Sequence, residues 1–265
     1  MRSPALYDGA VLQPIIDSTR ARVAVLLHNR AAVEASVADA PAPRDFIGAL
    51  RRPGLGLIAE IKRRSPSAGP IAPELDPLEL SRAYERGGAV AISVLTEPDH
   101  FDGSLDDLRT VVGDDALPVL RKDFILDPIQ LAEGRAAGAD AVLLIAGILD
   151  DELLHNLIEL TGDLGMVALV EAHNGDEVRR SIEAGASIVG INNRDLSTFQ
   201  VDLSTAERLR SLIPPGIVAV AESGIRDLAD VSRMRDSGFD AVLVGQAVAE
   251  ADDAAELLAL LVEAP

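Results

Sequence analysis

Four segments of the chain repeat one another, and their spacing limits the fold more than any other feature. Each starts at a glycine and passes through a residue or two into an apolar, strand-like run: Gly88-Ala-Val-Ala-Ile-Ser-Val, Gly138-Ala-Asp-Ala-Val-Leu-Leu, Gly185-Ala-Ser-Ile-Val-Gly-Ile and Gly238-Phe-Asp-Ala-Val-Leu-Val. The intervals between the glycines are 50, 47 and 53 residues. A polar stretch of helical period precedes each glycine, as expected where a capped helix end leads straight into a strand. Four further apolar runs lie between, at 57–62, 118–123, 166–171 and 217–223. Interleaved, the two sets predict eight strands at intervals of roughly 25 residues, each followed by a helix-length segment. Apolar strands alternating with helices specify a parallel sheet covered by helices. Eight such units in about 200 residues fit a closed (β/α)8 TIM barrel, an α/β fold. An open doubly wound sheet would carry a Gly-x-Gly-x-x-Gly turn after its first strand. Here that turn reads Lys62-Arg-Arg-Ser-Pro-Ser-Ala-Gly69, so the barrel is preferred.

Residues 1–50 precede the first strand. Apolar side chains recur at helical spacing over 11–37 (Leu12, Ile15, Ile16, Val23, Leu26, Leu27, Val33), and the Ala-Pro-Ala-Pro stretch ending at Pro43 stops them. One N-terminal helix and a short second one near 44–51 are expected, packed on the barrel as an extension of one domain spanning 1–265. That length, with 48% hydrophobic residues, suffices for one sizeable core. The absence of cysteine excludes disulfides, thiolate catalysis and Cys-ligated metal centres. A net charge of −19 repels phosphodiester backbones, and 3% aromatics with no Trp leave little for base stacking, so nucleic acid is excluded as a partner. The N-terminus lacks the basic-then-apolar pattern of a leader, and the longest apolar run, 141–149, is too short to span a bilayer. A soluble cytoplasmic protein is expected, monomeric or at most a weak homodimer.

In a barrel, reacting groups gather at the C-terminal strand ends, and one interior layer draws on alternate strands. The first strand ends Glu60-Ile-Lys62, with residues 60 and 62 on one face. The third ends Arg121-Lys122-Asp123, the fifth in Glu171, the seventh in Glu222-Ser223, and the sixth adds Asn192-Asn193-Arg194. Any one of these could simply face solvent, but the set converges on one mouth. Of 24 basic residues the only lysines are Lys62 and Lys122. Arginine is a poor proton donor, whereas a lysine's acidity responds to burial and neighbouring charge. Two lysines at facing strand ends of an arginine-using chain therefore suggest proton transfer or covalent amine chemistry. Gly224 and Gly245, in the loops after strands seven and eight, let main-chain N–H groups approach an anion, and the Ser65-Pro66-Ser67 turn adds hydroxyls, so a phosphate site is expected there. The four histidines, His28, His100, His155 and His173, have no metal-ligand spacing and are read as surface or capping residues; Asp102, Asp106 and Asp107 are read as solvated. No metal site is expected.

The segments that carry these residues closely resemble the signatures of the indole-3-glycerol phosphate synthase family of tryptophan biosynthesis. They are Leu57-Ile-Ala-Glu-Ile-Lys-Arg-Arg-Ser-Pro-Ser-Ala-Gly69, Leu120-Arg-Lys-Asp-Phe124, Leu169-Val-Glu-Ala-His173, Gly190-Ile-Asn-Asn-Arg-Asp-Leu196, Ala221-Glu-Ser-Gly-Ile225 and Leu243-Val-Gly245, in order and at the expected spacing. The resemblance covers 44–262; the first 40 residues match only in kind, as the helix that precedes the barrel. The chain's end after the eighth helix is read as the form not fused to the preceding isomerase.

The resemblance implies ring closure, decarboxylation and dehydration of 1-(2-carboxyphenylamino)-1-deoxyribulose 5-phosphate to indole-3-glycerol phosphate, with no metal or organic cofactor. It further implies Lys122 as the acid at the carbonyl oxygen, and Lys62 as partner of the substrate carboxylate and acid at dehydration. Glu171 would be the base, Glu60 a proton relay with Lys62, and Asn192 and Glu222 would position hydroxyl groups. Phe124, Leu143 and Leu196 would line the anthranilate pocket, and Arg194 would brace the carboxylates at the mouth. Ser65, Ser223, Gly224, Gly245 and the main-chain N–H of Gln246 would hold phosphate. An anionic substrate needs a locally positive mouth, for which Lys62, Lys122, Arg63, Arg64, Arg121 and Arg194 are the candidates. Two other readings stay open: a Schiff-base aldolase using Lys122 or Lys62 as the nucleophile, and a catalytically silent phosphate-ligand binder.

Overall fold

A computed structural model describes residues 12–114, 117–195 and 198–263. Eight parallel strands close into a barrel: β1 (Gly56–Ile61), β2 (Ala91–Leu95), β3 (Val119–Lys122), β4 (Ala141–Ile145), β5 (Val167–Ala172), β6 (Ile188–Asn192), β7 (Val218–Glu222) and β8 (Ala241–Val244). Each pairs with its sequence neighbours, and β1 closes on β8 through Leu57 opposite Val242. All eight runs predicted from the sequence become strands.

The repeated glycines lie three residues ahead of their strands, because they belong to the preceding helices. Gly88, Gly138, Gly185 and Gly238 all have φ between 85° and 95°, a left-handed conformation that a side chain would strain. At each, the glycine N–H bonds back to Glu85, Arg135, Ile182 or Arg235, and the next residue's N–H reaches Tyr84, Gly134, Ser181 or Met234. This closes the helices Pro77–Arg86, Pro128–Ala136, Gly175–Glu183 and Leu228–Asp236 with the paired bonds of a Schellman cap. Two of the strand entries share a further device: Asp140 Oδ2 accepts from Val119 N–H and Asp240 Oδ2 from Ala219 N–H, both at 2.7 Å.

Strand alternation divides the apolar residues into two cores. Leu57, Val94, Val142, Val170 and Val242 face the helices, while Ile58, Leu120, Leu143, Leu169, Val220 and Leu243 fill the barrel. The N-terminal extension seals both ends of that interior. Phe46 and Leu50, each 1% exposed on the short helix Phe46–Leu50, join the interior core from below. Leu12 and Ile15 on the helix Leu12–His28 join it from above. The single helix expected over 11–37 is broken at Asn29, whose side chain donates to Val25 O at 3.2 Å; Arg30–Ser36 follows as a separate helix, then a 3-10 turn at Val37–Asp39. Below, Arg44 anchors the connection by donating its main-chain N–H (2.7 Å) and guanidinium (3.1 Å) to Asp140.

Candidate active site

At the C-terminal end of the strands a single cleft receives the side chains expected to meet there. Glu60, Lys62, Ser65, Lys122, Phe124, Leu143, Glu171, Asn192, Arg194, Glu222, Ser223, Gly224, Gly245 and Gln246 all line it. Leu196 lies outside the described residues. The charged set comes from the odd strands, as alternate-strand layering requires.

Lys122 is the hub. Its Nζ donates to Glu171 Oε2 at 3.0 Å and lies 3.2 Å from Glu222 Oε2. Burial opposes its charge, but the carboxylates of Glu171, Glu222 and Glu60 outweigh burial and hold the ammonium above its ordinary value. The two carboxylates diverge. Burial would raise Glu171, yet Lys122 and His173 pull it well below the carboxylate range. Glu222 is pushed up to about 7 by burial, with Glu171 and Glu60 adding and Lys122 opposing. A protonated Lys122 beside Glu171 and a Glu222 poised to carry a proton make a proton-transfer set.

Lys62 Nζ donates to Glu60 Oε1 at 2.6 Å, and Glu60 is 4% exposed. Ser93 Oγ lies 3.4 Å from Glu60 Oε2. Asn192 accepts the Arg194 N–H at 2.9 Å, while Asn193 turns outward to donate to Ser223 O and accept from Ala206 N–H. The loop after β7 is strained: Ser223 has φ 64°, rare for a residue with a side chain, and Gly224 follows at φ 85°. Gln246 points its amide at Glu250 (2.9 Å), which leaves its main chain rather than its side chain for the cleft. Ser65 is buried within a two-residue antiparallel ribbon, Arg64–Ser65 against Gly69–Pro70, and accepts from Ala68 N–H.

Several expectations need correction. Arg121, 2% exposed, points into the helix layer and bonds Gln130 O, Asp123 and Glu133, so it contributes no field at the mouth. Alternation along Arg121-Lys122-Asp123 already places 121 opposite 122. Arg63 is tied to Asp107, which is therefore not solvated. Among the described residues Arg194 forms no ion pair with a carboxylate: its guanidinium donates to Phe199 O at 3.1 Å, and burial and Arg226 lower its pKa against the pull of Glu60. Among the described residues neither Arg194 nor Arg226 forms an ion pair, which leaves two guanidinium groups on the β6–β7 side of the cleft. His173 is neither surface nor cap; its side chain is 6% exposed behind Glu171.

The sequence reading missed Leu12, Ile15, Phe101, Phe199 and Arg226, which also line the cleft. Phe101 stacks at a tilt on Phe124, with centroids 6.1 Å apart. The helix carrying Leu12 and Ile15 is held over the mouth by Arg22, 3.4 Å from Asp123 and 3.6 Å from Glu97. Asp123 is kept below its ordinary value against burial by Arg121 and Arg22, with bonds from Thr96 and the Phe124 N–H.

Lysine–carboxylate pairs at the mouth of a (β/α)8 barrel, beside glycine loops on strands seven and eight, define an acid–base enzyme of the barrel class. The family model for indole-3-glycerol phosphate synthase matches residues 12–261. The chain belongs to that family. It is 46% identical to the indole-3-glycerol phosphate synthase of Mycobacteroides abscessus over 98% of this chain and 96% of that protein. It is 47% identical to that of Rhodococcus opacus over 96% and 95% respectively. Among solved structures, a 3-hexulose-6-phosphate synthase superposes with a TM-score of 0.62 at 18% identity, covering 79% of this chain and 99% of that one, a likeness of fold. No helix among the described residues is long and apolar enough to cross a membrane.

Proposed function

We propose that the cleft converts 1-(2-carboxyphenylamino)-1-deoxyribulose 5-phosphate to indole-3-glycerol phosphate, carbon dioxide and water. The observation that carries this reading is Lys122 held between Glu171 and Glu222 in the same cleft as the Lys62–Glu60 pair. In the first step the carboxylate-bearing ring carbon attacks the ribulose carbonyl, and the oxygen takes a proton from Lys122. Lys62 faces the substrate carboxylate until carbon dioxide departs and its electron pair returns to the ring. The former carbonyl oxygen then leaves as water with a proton from Lys62, while Glu171 removes the proton from the adjacent carbon to form the indole double bond. Glu60 restores the Lys62 proton; Asn192 and Glu222 hold substrate hydroxyls.

Phe124, Leu143, Phe101 and Ile15 supply an apolar wall for the aromatic ring. Ser65, Ser223, Gly224, Gly245 and the Gln246 N–H hold phosphate, and Arg194 and Arg226 offset the anionic charge of the substrate. A Schiff-base aldolase is disfavoured because carboxylates on two sides keep Lys122 charged, whereas an amine nucleophile must be neutral.

The test is the growth of indole fluorescence when protein meets the anthranilate-linked ribulose phosphate. Lys122→Arg keeps charge and removes the tunable proton, so substrate binding should survive while kcat falls at least about a hundredfold. Near-normal turnover in that variant, or no indole product from the parent protein, refutes the reading.

A further inference from the structure

Behind the cleft, at the end of β5, lies a charged chain that this scheme leaves unused. His173 follows Glu171 by two residues, and its ring Nε2 is 3.3 Å from Glu171 Oε1. On the other side Nδ1 is 3.0 Å from Glu177 Oε2. Glu177 is itself fixed at the start of the helix Gly175–Glu183. The N-cap Asn174 donates to its Oε1 at 2.7 Å and accepts its N–H at 3.0 Å, while its Oε2 accepts the His173 N–H at 2.8 Å. An imidazole between two buried carboxylates keeps both ring protons. Burial works against that charge, but Glu171 and Glu177 outweigh it and raise His173 to about 9.

The result is an asymmetry around Lys122. Glu171 has a cation at each oxygen, Lys122 at Oε2 and His173 at Oε1. Among the described residues Glu222 has Lys122 alone. We infer that His173, held between Glu171 and Glu177, is a positioning residue that fixes Glu171, of the two carboxylates around Lys122, as the proton acceptor. This rests on the assignment of Glu171 as the base in the proposed reaction. Among the described residues the charged groups that face His173 are Glu171 on its own strand and Glu177 on the following helix; beyond Glu171 stand Lys122 from β3 and Glu222 from β7. Removing the imidazolium takes a cation from Glu171, so its proton affinity rises and the acid limb of kcat moves to higher pH.

With only four histidines in the chain, side-chain nitrogen NMR can be assigned, and both ring nitrogens of His173 are expected to be protonated near neutral pH in the free protein. A neutral ring there overturns the inference. In His173→Gln the acid limb of kcat should rise by about one pH unit or more, a tenfold change in proton affinity, and turnover should recover as pH is raised. KM should move little, since no substrate contact is lost. Glu177→Gln keeps an amide oxygen for the cap and discharges His173, so its limb should move the same way; this variant and the NMR measurement carry the test if His173→Gln does not fold. A limb that stays in place in the folded variants, with kcat unaltered or lowered evenly at every pH, leaves His173 a packing role only and overturns the inference. Glu171→Gln tests the premise separately: retained turnover there refutes the base assignment whatever His173 does.

Discussion

Gly190→Ala places one methyl group against the Lys122 cluster without removing any reacting group. A Cβ at Gly190 would stand 2.1 Å from Glu222 Oε1 and 2.8 Å from Leu169 Cδ2. Ordinary van der Waals contact begins near 3.4 Å, so the carboxylate must retreat by about 1 Å. Glu222 Oε2 now lies 3.2 Å from Lys122 Nζ. Stretching that pair to about 4.2 Å at an effective dielectric constant near 20 removes about 1 kcal/mol of attraction. That is close to a tenfold loss in kcat, and misplacement of about 1 Å in a reacting constellation can cost a hundredfold, so a fall of roughly 10- to 100-fold is expected. The flexible end of a glutamate gives way more cheaply than backbone. Overpacking should therefore cost about 1–3 kcal/mol, lowering Tm by roughly 2–12 °C. KM should rise by no more than a few-fold, because Glu222 also holds substrate hydroxyls while the glycine loops and the N-terminal helix are untouched. Steady-state indole fluorescence gives both constants, and circular dichroism checks the fold. A folded Gly190→Ala protein whose kcat lies within about twofold of the parent would refute the claim that Glu222 works only where Gly190 lets it sit.

Gly245→Ala puts a Cβ 2.7 Å from Glu60 Oε1 and 3.3 Å from Lys62 Nζ and narrows the glycine loop after β8; KM should rise about tenfold or more, and an unchanged KM would remove the loop from phosphate binding. Arg22→Met frees the helix over the mouth. KM should rise several-fold with kcat nearly kept, and stability should fall by about 1–2 kcal/mol in urea titrations, less than for a fully buried pair because the Arg22 side chain is 27% exposed; equal KM values would show that the helix does not cover bound substrate. His173 is raised to about 9 in the folded protein, so its contribution is fully present below the unfolded value near 6.5 and is lost as pH rises to 9. Unfolding free energy should thus fall between pH 6.5 and 9 by at most roughly 3 kcal/mol more in the parent than in His173→Gln, and parallel curves for the two proteins would contradict the ion pairs at that ring.

The barrel could be read from the chain because its helix ends and strands recur at a fixed interval, and local chemistry suffices to write that pattern. The glycines were legible as helix ends because Gly-Ala-Val and Gly-Ala-Asp complete a cap before the chain enters the sheet. The convergence of Glu60, Lys62, Lys122, Glu171 and Glu222 followed from alternation plus closure. What escaped depends on tertiary approach. Nothing local distinguishes a helix that covers the mouth from one that covers a side, so Leu12 and Ile15 passed as packing. Arg226 and His173 acquire meaning only from neighbours 32 and two residues away, Arg194 and Glu171. One signal was available: of five phenylalanines in a chain without tryptophan, Phe101, Phe124 and Phe199 all line the cleft.

The four Schellman caps and the paired aspartates at 140 and 240 all lie at the floor of the barrel, remote from every proton the reaction moves. Punctuation and chemistry therefore occupy opposite ends of the same strands. Selection for a hotter or saltier habitat can rewrite the floor while the rim stays constant, and a change of substrate can rewrite the rim while the floor still tells each helix where to stop.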